Sequence, residues 1–148
     1  MKDTRIISVA GKPGLYKLLT STKSGVVAES LTDKKRVMVP FTSISALDEI
    51  AIYTYNEEIP LWKVFDTMAQ KNNFEQSISH KSPKAELEKE FREILPEFDE
   101  DRVYPSHIKK VFQWYNLLSD TGLLKDYLDW KKEQEEEYNK MQEEKEED

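Results

Sequence analysis

The side chains that most often perform acid, base or nucleophilic chemistry are sparse in this sequence. It has two histidines, His80 and His107, no cysteine and 29 acidic residues. Neither histidine has the partner four residues away that a helical metal site requires, and the commonest nucleophile–base sets are poorly supplied. His107 follows Ser106 where a helix is predicted to start, which favours a capping or solvent-facing role. We therefore predict a protein that is not an enzyme and that uses no metal or other cofactor.

Two short motifs resemble ligand-binding loops, but each lacks a required feature. A phosphate-binding loop places its lysine after the second glycine and follows it with serine or threonine, whereas Lys12 lies between Gly11 and Gly14. The acids of residues 97–101 lack the glycine and the alternating carboxylates of a calcium loop. We interpret the first motif as a tight turn and the second as a solvated loop.

A tryptophan on the third predicted helix is the leading candidate for a protein contact. If Phe112 and Tyr115 face the core, Trp114 points elsewhere, because residues two apart do not share a helix face. Tryptophan often anchors protein interfaces, and polar neighbours would form the rim. The predicted partner-binding residues are Trp114, Lys109, Lys110 and Gln113. The alternative is that Trp114 covers the N-terminal module or another helix.

A basic edge in the first third of the chain is the second candidate surface. Small barrels hold nucleic acid with basic side chains on the phosphate backbone and aromatic rings stacked on the bases. The predicted nucleic-acid-binding residues are Tyr16, Lys17, Lys23, Lys34, Lys35 and Arg36. The competing interpretation is a solvated hairpin tip.

Charge is distributed unevenly along the 148 residues, whose net charge is −7. Residues 1–40 carry eight basic and three acidic side chains, whereas residues 122–148 carry five basic and eleven acidic ones. The acidic total argues against indiscriminate nucleic-acid binding. The basic first third still permits a local contact, because salt screens charges only over about 10 Å at roughly 0.1 M.

The first half of the chain consists of short β-type segments separated by turn residues. Five strands are predicted, over 5–10, 15–22, 25–31, 36–40 and 50–55. Five strands in so short a segment match a small SH3-like or Tudor-like barrel better than an open sheet. Residues 42–48 are predicted to form a short helical turn between the fourth and fifth strands.

After Pro60 the apolar spacing changes from two residues to three and four, which predicts helices. The first spans 61–71, and the second opens with Ser82 as N-cap and Pro83 at its first helical position. The third runs from about 105 to 119 and ends before the cap residue Gly122, and the fourth begins at residue 123. Residues 72–81 are predicted to be a polar loop or linker.

The predicted fold is α+β, with an N-terminal SH3-like or Tudor-like barrel followed by a helical module of three to four helices. The modules cover residues 1–58 and 59–130, and 131–148 form an acidic helical tail that frays into solvent. The lack of cysteine fits a reducing cytoplasm. No apolar run is long enough for a signal peptide or a membrane span. We therefore expect a cytoplasmic protein that does not contact a membrane.

Three segments resemble a Bacteroidota family of short acidic proteins that is classed as a domain of unknown function. They are ISVAGKPGLYK over 7–17, GVVAESL over 25–31 and ISALDEIAIYT over 44–54. The resemblance covers most of residues 5–125. It implies a bacterial cytoplasmic context and supplies neither an activity nor functional residues.

Two classes of function follow from the sequence. The first is a non-enzymatic cytoplasmic adaptor that binds a protein partner with a basic barrel and an acidic helical module. The alternative is an accessory factor of translation or transcription that contacts RNA or DNA through the basic first third. The residues do not specify the oligomeric state.

Overall fold

The computed structural model describes residues 5–147. Its N-terminal half is an antiparallel sheet of five strands: β1 (Ile6–Val9), β2 (Lys12–Ser21), β3 (Gly25–Ser30), β4 (Arg36–Pro40) and β5 (Ile44–Ala46). Their order across the sheet is β4-β3-β2-β1-β5. No ladder joins β4 to β5 within the described residues, so the sheet is open. The α+β class is confirmed, but the predicted closed SH3-like barrel is not.

Both faces of this sheet carry buried side chains. One face holds an inner cluster that consists of Ile7, Val9, Tyr16, Val26, Ala28 and Val39. The other face contributes Ile6, Leu15 and Leu31 to the main core. Gly25 permits the close pairing of β3 with β4, because a Cβ at this position would lie 2.1 Å from the Val39 carbonyl oxygen.

The segment that follows β4 differs from its prediction. In place of one helical turn over 42–48, two 3₁₀ turns (Phe41–Ser43 and Leu47–Glu49) flank the short strand β5. The strand forms because it pairs with β1, with Ser45 opposite Ser8. The fifth predicted strand lies outside this sheet: β6 (Ala51–Tyr53) pairs with β7 (Glu58–Pro60) as a separate two-stranded sheet.

Four helices follow, as the apolar spacing predicts: α1 (Leu61–Asn72), α2 (Lys84–Ile94), α3 (Pro105–Asp120) and α4 (Leu124–Glu147). The predicted cap of α2 is displaced. Pro83 precedes the helix as its cap, and no side chain of the described residues caps the helix N-terminus, so Ser82 is not the N-cap. Gly122 closes α3 as predicted, with φ +74° and its N–H donated to the Ser119 carbonyl.

One hydrophobic core joins the sheet to all four helices. Its largest fully buried side chains are aromatic: Phe65, Phe91, Phe112, Tyr115 and Tyr127. Leu47 and Ile52, which connect the two halves of the chain, belong to the same core. Within residues 5–147, no helix combines the length and the apolar character that crossing a bilayer requires.

Candidate protein-binding groove

A groove lies between the β1–β5 side of the sheet and α3. It consists of two adjoining cavities of about 320 and 420 Å³ that share Ser8, Ser45, Lys110 and Trp114. The first cavity extends to β6 and the start of α3, and the second extends to the turn between β1 and β2. We call the two together the Trp114 groove.

Strand alternation directs two hydroxyl groups into the Trp114 groove. Ser8 lies opposite Ser45 in the β1–β5 ladder. Ile7 and Val9 are buried in the inner cluster on the other face, so the side chain of Ser8 points toward α3. Strand β5 is the edge of the sheet, and its outer side pairs with no other strand of the described residues. The groove therefore has a hydroxyl-bearing wall beside an open strand edge.

Helix α3 supplies the opposite wall. Its core-facing residues are Ile108, Val111, Phe112, Tyr115 and Leu118. Trp114 lies one turn after Lys110, on a stripe of the helix surface next to the core-facing one. Gln113 lies beside Trp114 in the second cavity. Trp114 is half-buried: it packs against the main core and also lines both cavities. Its ring thus both covers the core and remains available to a ligand.

Three of the four predicted partner-binding residues therefore share the groove. Lys109 does not, because it lines a separate cavity of about 320 Å³ with residues of α2, including Leu87. Lys109 and Lys110 are adjacent and both exposed. They consequently form a matched pair, in which only Lys110 belongs to the groove.

Two lysines give the Trp114 groove its available positive charge. The side chains of Lys12 and Lys110 make no hydrogen bond or ion pair with the rest of residues 5–147. Arg102, in contrast, is already engaged: its Nε donates to Asp99 Oδ2 at 2.7 Å, and its guanidinium lies 4.4 Å from the ring centre of Tyr53. This hydrogen bond lowers the pKa of the Asp99 carboxyl and raises the pKa of Arg102.

His107 and Gly11, which belong to motifs that sequence analysis considered for chemistry, have structural roles. His107 Nδ1 accepts a hydrogen bond from the Tyr104 N–H at 3.2 Å, which confirms its predicted capping role at the start of α3. Gly11, with φ +79°, lies in the tight turn before Lys12, whereas Gly14, with φ +82°, lies within β2. In the described part of the chain, no three His, Asp or Glu side chains are grouped so that they could hold a metal ion.

The predicted nucleic-acid-binding residues do not form one continuous patch. Tyr16 is 8% exposed in the inner cluster, so its ring has no free face for stacking on a base. Lys17 and Arg36 lie on either side of Glu29 in one cross-strand row. Glu29 pairs with Arg36 at 3.4 Å and partly neutralises the row.

The three remaining lysines of that set lie at opposite ends of β3. Lys23 is in the turn before the strand, whereas Lys34 and Lys35 are in the turn after it. The six residues of β3 correspond to about 20 Å at 3.3 Å per residue. This separation exceeds the screening length at physiological salt.

A further cleft of about 750 Å³ was not predicted from the sequence. It lies between two turns of the sheet, α3 and the segment that follows α1. That segment is held by α3: Asn116 accepts from the Ser77 N–H at 2.8 Å and donates to the Ile78 carbonyl at 2.9 Å. The Tyr115 hydroxyl donates to the Glu75 carbonyl at 2.6 Å. The sequence indicated only that residues 72–81 are polar. Their composition does not indicate that α3 holds this segment in place.

Comparison with known proteins identifies the two halves of this architecture. Residues 4–47 match the model of a "Domain of unknown function (DUF5606)", and residues 50–118 match that of a "Domain of unknown function (DUF6852)". The chain is thus an α+β protein that carries two domains of unknown function. No curated protein matches it.

A solved structure from Bacteroides vulgatus is similar over most of its length. It is the solution NMR structure of a structural-genomics target, with 40% sequence identity and a TM-score of 0.68. The match covers 83% of this chain and 89% of that chain. The chain therefore belongs to the same uncharacterised Bacteroidota family, which confirms the resemblance seen in the sequence.

Proposed function

We propose that this protein is a non-enzymatic cytoplasmic adaptor that binds a protein partner in the Trp114 groove. One observation carries the proposal: a half-buried tryptophan shares a groove with two lysines that have no partner among the described residues, beside an open strand edge. Partly exposed tryptophans in pockets often dominate binding energy. A chain without cysteine suits the reducing cytoplasm.

The lining of the groove favours an extended, acidic segment of a partner. Lys12 and Lys110 would pair with carboxylates, and an apolar side chain would contact the ring of Trp114. The hydroxyl groups of Ser8 and Ser45 would hydrogen-bond to polar groups of the segment. Strand β5 offers three residues of free edge, to which an extended segment can add through main-chain hydrogen bonds.

We further propose that the five-stranded sheet is a partly opened SH3-like barrel. Three features support this interpretation. The inner cluster is buried without helical side chains, which requires a curved sheet. A 3₁₀ turn (Phe41–Ser43) joins β4 to β5, and β5 lies next to β1 although it is the last of the five strands along the chain.

The alternative function, contact with RNA or DNA, has weaker support. The buried ring of Tyr16 and the position of Glu29 between Lys17 and Arg36 both weaken the basic edge. Backbone recognition needs several cations that act together, and it weakens with salt in proportion to the phosphates contacted. The adaptor hypothesis does not require the cations of the basic edge to act together.

Capture of partners from a native lysate, followed by titration of the purified partner, tests the adaptor hypothesis. Trp114→Ala and Lys110→Glu should each weaken binding by about tenfold or more, as expected for an anchor residue and its rim. Lys109→Glu, the matched control outside the groove, should change the affinity by less than about twofold.

Two results would count against the proposal. One is a partner that binds the Trp114→Ala and Lys110→Glu variants as tightly as the unmodified protein. The other is the recovery of RNA in place of a protein, with binding that is lost in a Lys34→Glu, Lys35→Glu variant and kept in Lys110→Glu. The second result would favour the nucleic-acid alternative.

A further inference from the structure

An exposed apolar row crosses β2, β3 and β4 on the sheet face that also contributes to the main core. Met38 on β4 lies opposite Val27 on β3, and Val27 lies opposite Thr20, next to Leu19 in a bulge of β2. Met38 is 66% exposed and Leu19 is 39% exposed. Phe41, at the end of β4, is 48% exposed. We call Leu19, Val27, Met38 and Phe41 the outer row.

Basic side chains flank the outer row on both sides, in the direction of the strands. Lys23 lies next to Ser24, whose carbonyl accepts a hydrogen bond from the Phe41 N–H at 3.4 Å. On the other side, Lys17 and Arg36 share the next cross-strand row with Glu29. Three cations against one carboxylate make this face positive. The face is therefore apolar at its centre and basic at its margins.

The last turns of α4 have the opposite charge and a matching apolar stripe. The last ion pairs that the described residues form between α4 and the body are Lys132–Asp66 at 3.0 Å and Lys63–Glu135 at 3.4 Å. Residues 136–147, which we call the tail segment, contain six acids and two lysines. Tyr138 and Met141 are 62% and 59% exposed and lie one turn apart on one face.

The tail segment also fits the outer row in length. Twelve helical residues span about 18 Å at 1.5 Å per residue. The basic side chains lie on either side of the outer row in the direction of β3, whose six residues span about 20 Å. The two surfaces are thus complementary in charge, apolar content and extent.

The tail segment cannot reach the outer row of its own chain. Helix α4 is continuous from Leu124 to Glu147, and its first turns are anchored in the main core by Leu124, Tyr127 and Leu128. Folding the tail segment back would break the helix. We propose that the occupant is a second copy of this chain. Two copies exchange tail segments, and Tyr138 and Met141 of each pack on the outer row of the other.

A reciprocal exchange of this kind is a closed, two-fold symmetric dimer, in which the same two patches meet twice. The acidic residues of each tail segment face Lys17, Lys23 and Arg36 of the partner copy. Because these charges lie at the margins of the contact, added salt should weaken the association. The contact uses different residues from the Trp114 groove: the outer row lies on β2, β3 and β4, whereas the groove lies at the β1–β5 side of the same sheet face.

Sedimentation equilibrium of the full chain across a range of concentrations tests the proposal. The unmodified protein should dimerise, and Met38→Glu and Tyr138→Glu should each weaken the dimer by about tenfold or more. Tyr55→Glu is the matched control, because Tyr55 is also 62% exposed and lies outside both surfaces. It should leave the dimer unchanged. Circular dichroism checks that each variant is folded.

Mixing the two variants separates tail exchange from any other dimer. The Met38→Glu chain keeps an intact tail segment, and the Tyr138→Glu chain keeps an intact outer row, so one of the two contacts can form between them. The mixture should therefore associate more strongly than either variant alone. The proposal is overturned if the unmodified chain stays monomeric up to about 1 mM. It is also overturned if the dimer survives both substitutions, or if the outer row captures a different protein and not a second copy.

Discussion

The hydroxyl of Tyr127 on α4 donates a hydrogen bond to the Asp48 carboxylate in the 3₁₀ turn that follows β5, at 3.0 Å. Tyr127 is fully buried, and Asp48 also forms an ion pair with Lys131 at 3.6 Å. Burial, together with the negative charge of Asp48, raises the pKa of the Tyr127 hydroxyl far above its ordinary value. The phenol thus stays protonated and ties the last helix to the sheet.

Removing this hydroxyl should destabilise the protein. Tyr127→Phe should lower the free energy of unfolding in urea by about 1.5–3 kcal/mol, because the lost hydrogen bond has a charged acceptor. Tyr138→Phe, which removes an exposed hydroxyl from the same helix, should change it by less than about 0.5 kcal/mol. Equal effects in the two variants would show that the link to Asp48 does not stabilise the fold.

The amide of Asn116 should be required for order in the segment after α1. Asn116→Ala leaves the Ser77 N–H and the Ile78 carbonyl without their partner, at a cost of about 1–3 kcal/mol. Amide hydrogen exchange at Ser77 should accelerate. Gln113→Ala on the same helix is the control, because the side chain of Gln113 makes no hydrogen bond within residues 5–147. Unchanged exchange in Asn116→Ala would contradict this account.

Gly25 should be the glycine that least tolerates a side chain. The added Cβ of Gly25→Ala would lie 2.1 Å from the Val39 carbonyl oxygen, so β3 and β4 must separate, and we expect a loss of about 3 kcal/mol or more. An added Cβ at Gly11 would meet no described atom within 4 Å, although its φ is +79°. Gly11→Ala should therefore cost only about 1 kcal/mol. Thermal unfolding compares the two, and the reverse ranking would be inconsistent with the β3–β4 register.

Stability should fall at acid pH in part through Asp99. The hydrogen bond from Arg102 lowers the pKa of this carboxyl in the folded state below its unfolded value of about 3.9. The resulting stabilisation is complete above the unfolded pKa and is lost as the pH falls through the folded pKa. Asp99→Asn should therefore lower stability at pH 7, and its deficit relative to the unmodified protein should shrink below pH of about 4.

Urea unfolding between pH 7 and 2 measures this difference. Asp101→Asn serves as the control, because Asp101 is exposed and forms no ion pair with the described residues. Its unfolding curve should follow that of the unmodified protein at every pH. A deficit for Asp99→Asn that stays constant down to pH 2 would show that the pairing with Arg102 does not set the pH dependence.

Local sequence patterns predict the elements of this fold whose partners are adjacent in the chain. The first four strands and the four helices follow from two-residue and three-to-four-residue spacing, because each buries one face. Strand β5 was missed because its residues, Ile44-Ser45-Ala46, form a strand only through pairing with β1. No local rule reveals a partner so distant in sequence.

Only part of the candidate site could be predicted, because one of its walls also depends on pairing between segments that are distant in sequence. Helical periodicity separates Trp114 from the core-facing Phe112 and Tyr115, so its distinct environment could be predicted. The other wall of the groove could not, because Ser8 and Ser45 come together only when β1 pairs with β5. Lys109 and Lys110 line different cavities because α2 packs beside Lys109. The spacing of residues in the sequence does not reveal where α2 packs.

Leu47 ends the segment matched by the first family model, and its side chain is buried in a core built largely from the segment matched by the second. Ile6, Leu15 and Leu31 belong to that core as well. If the two segments were separate polypeptides, each would expose apolar side chains that are buried in the intact chain. A substitution in one segment that changes the shape of this shared core must therefore be accommodated by the other segment.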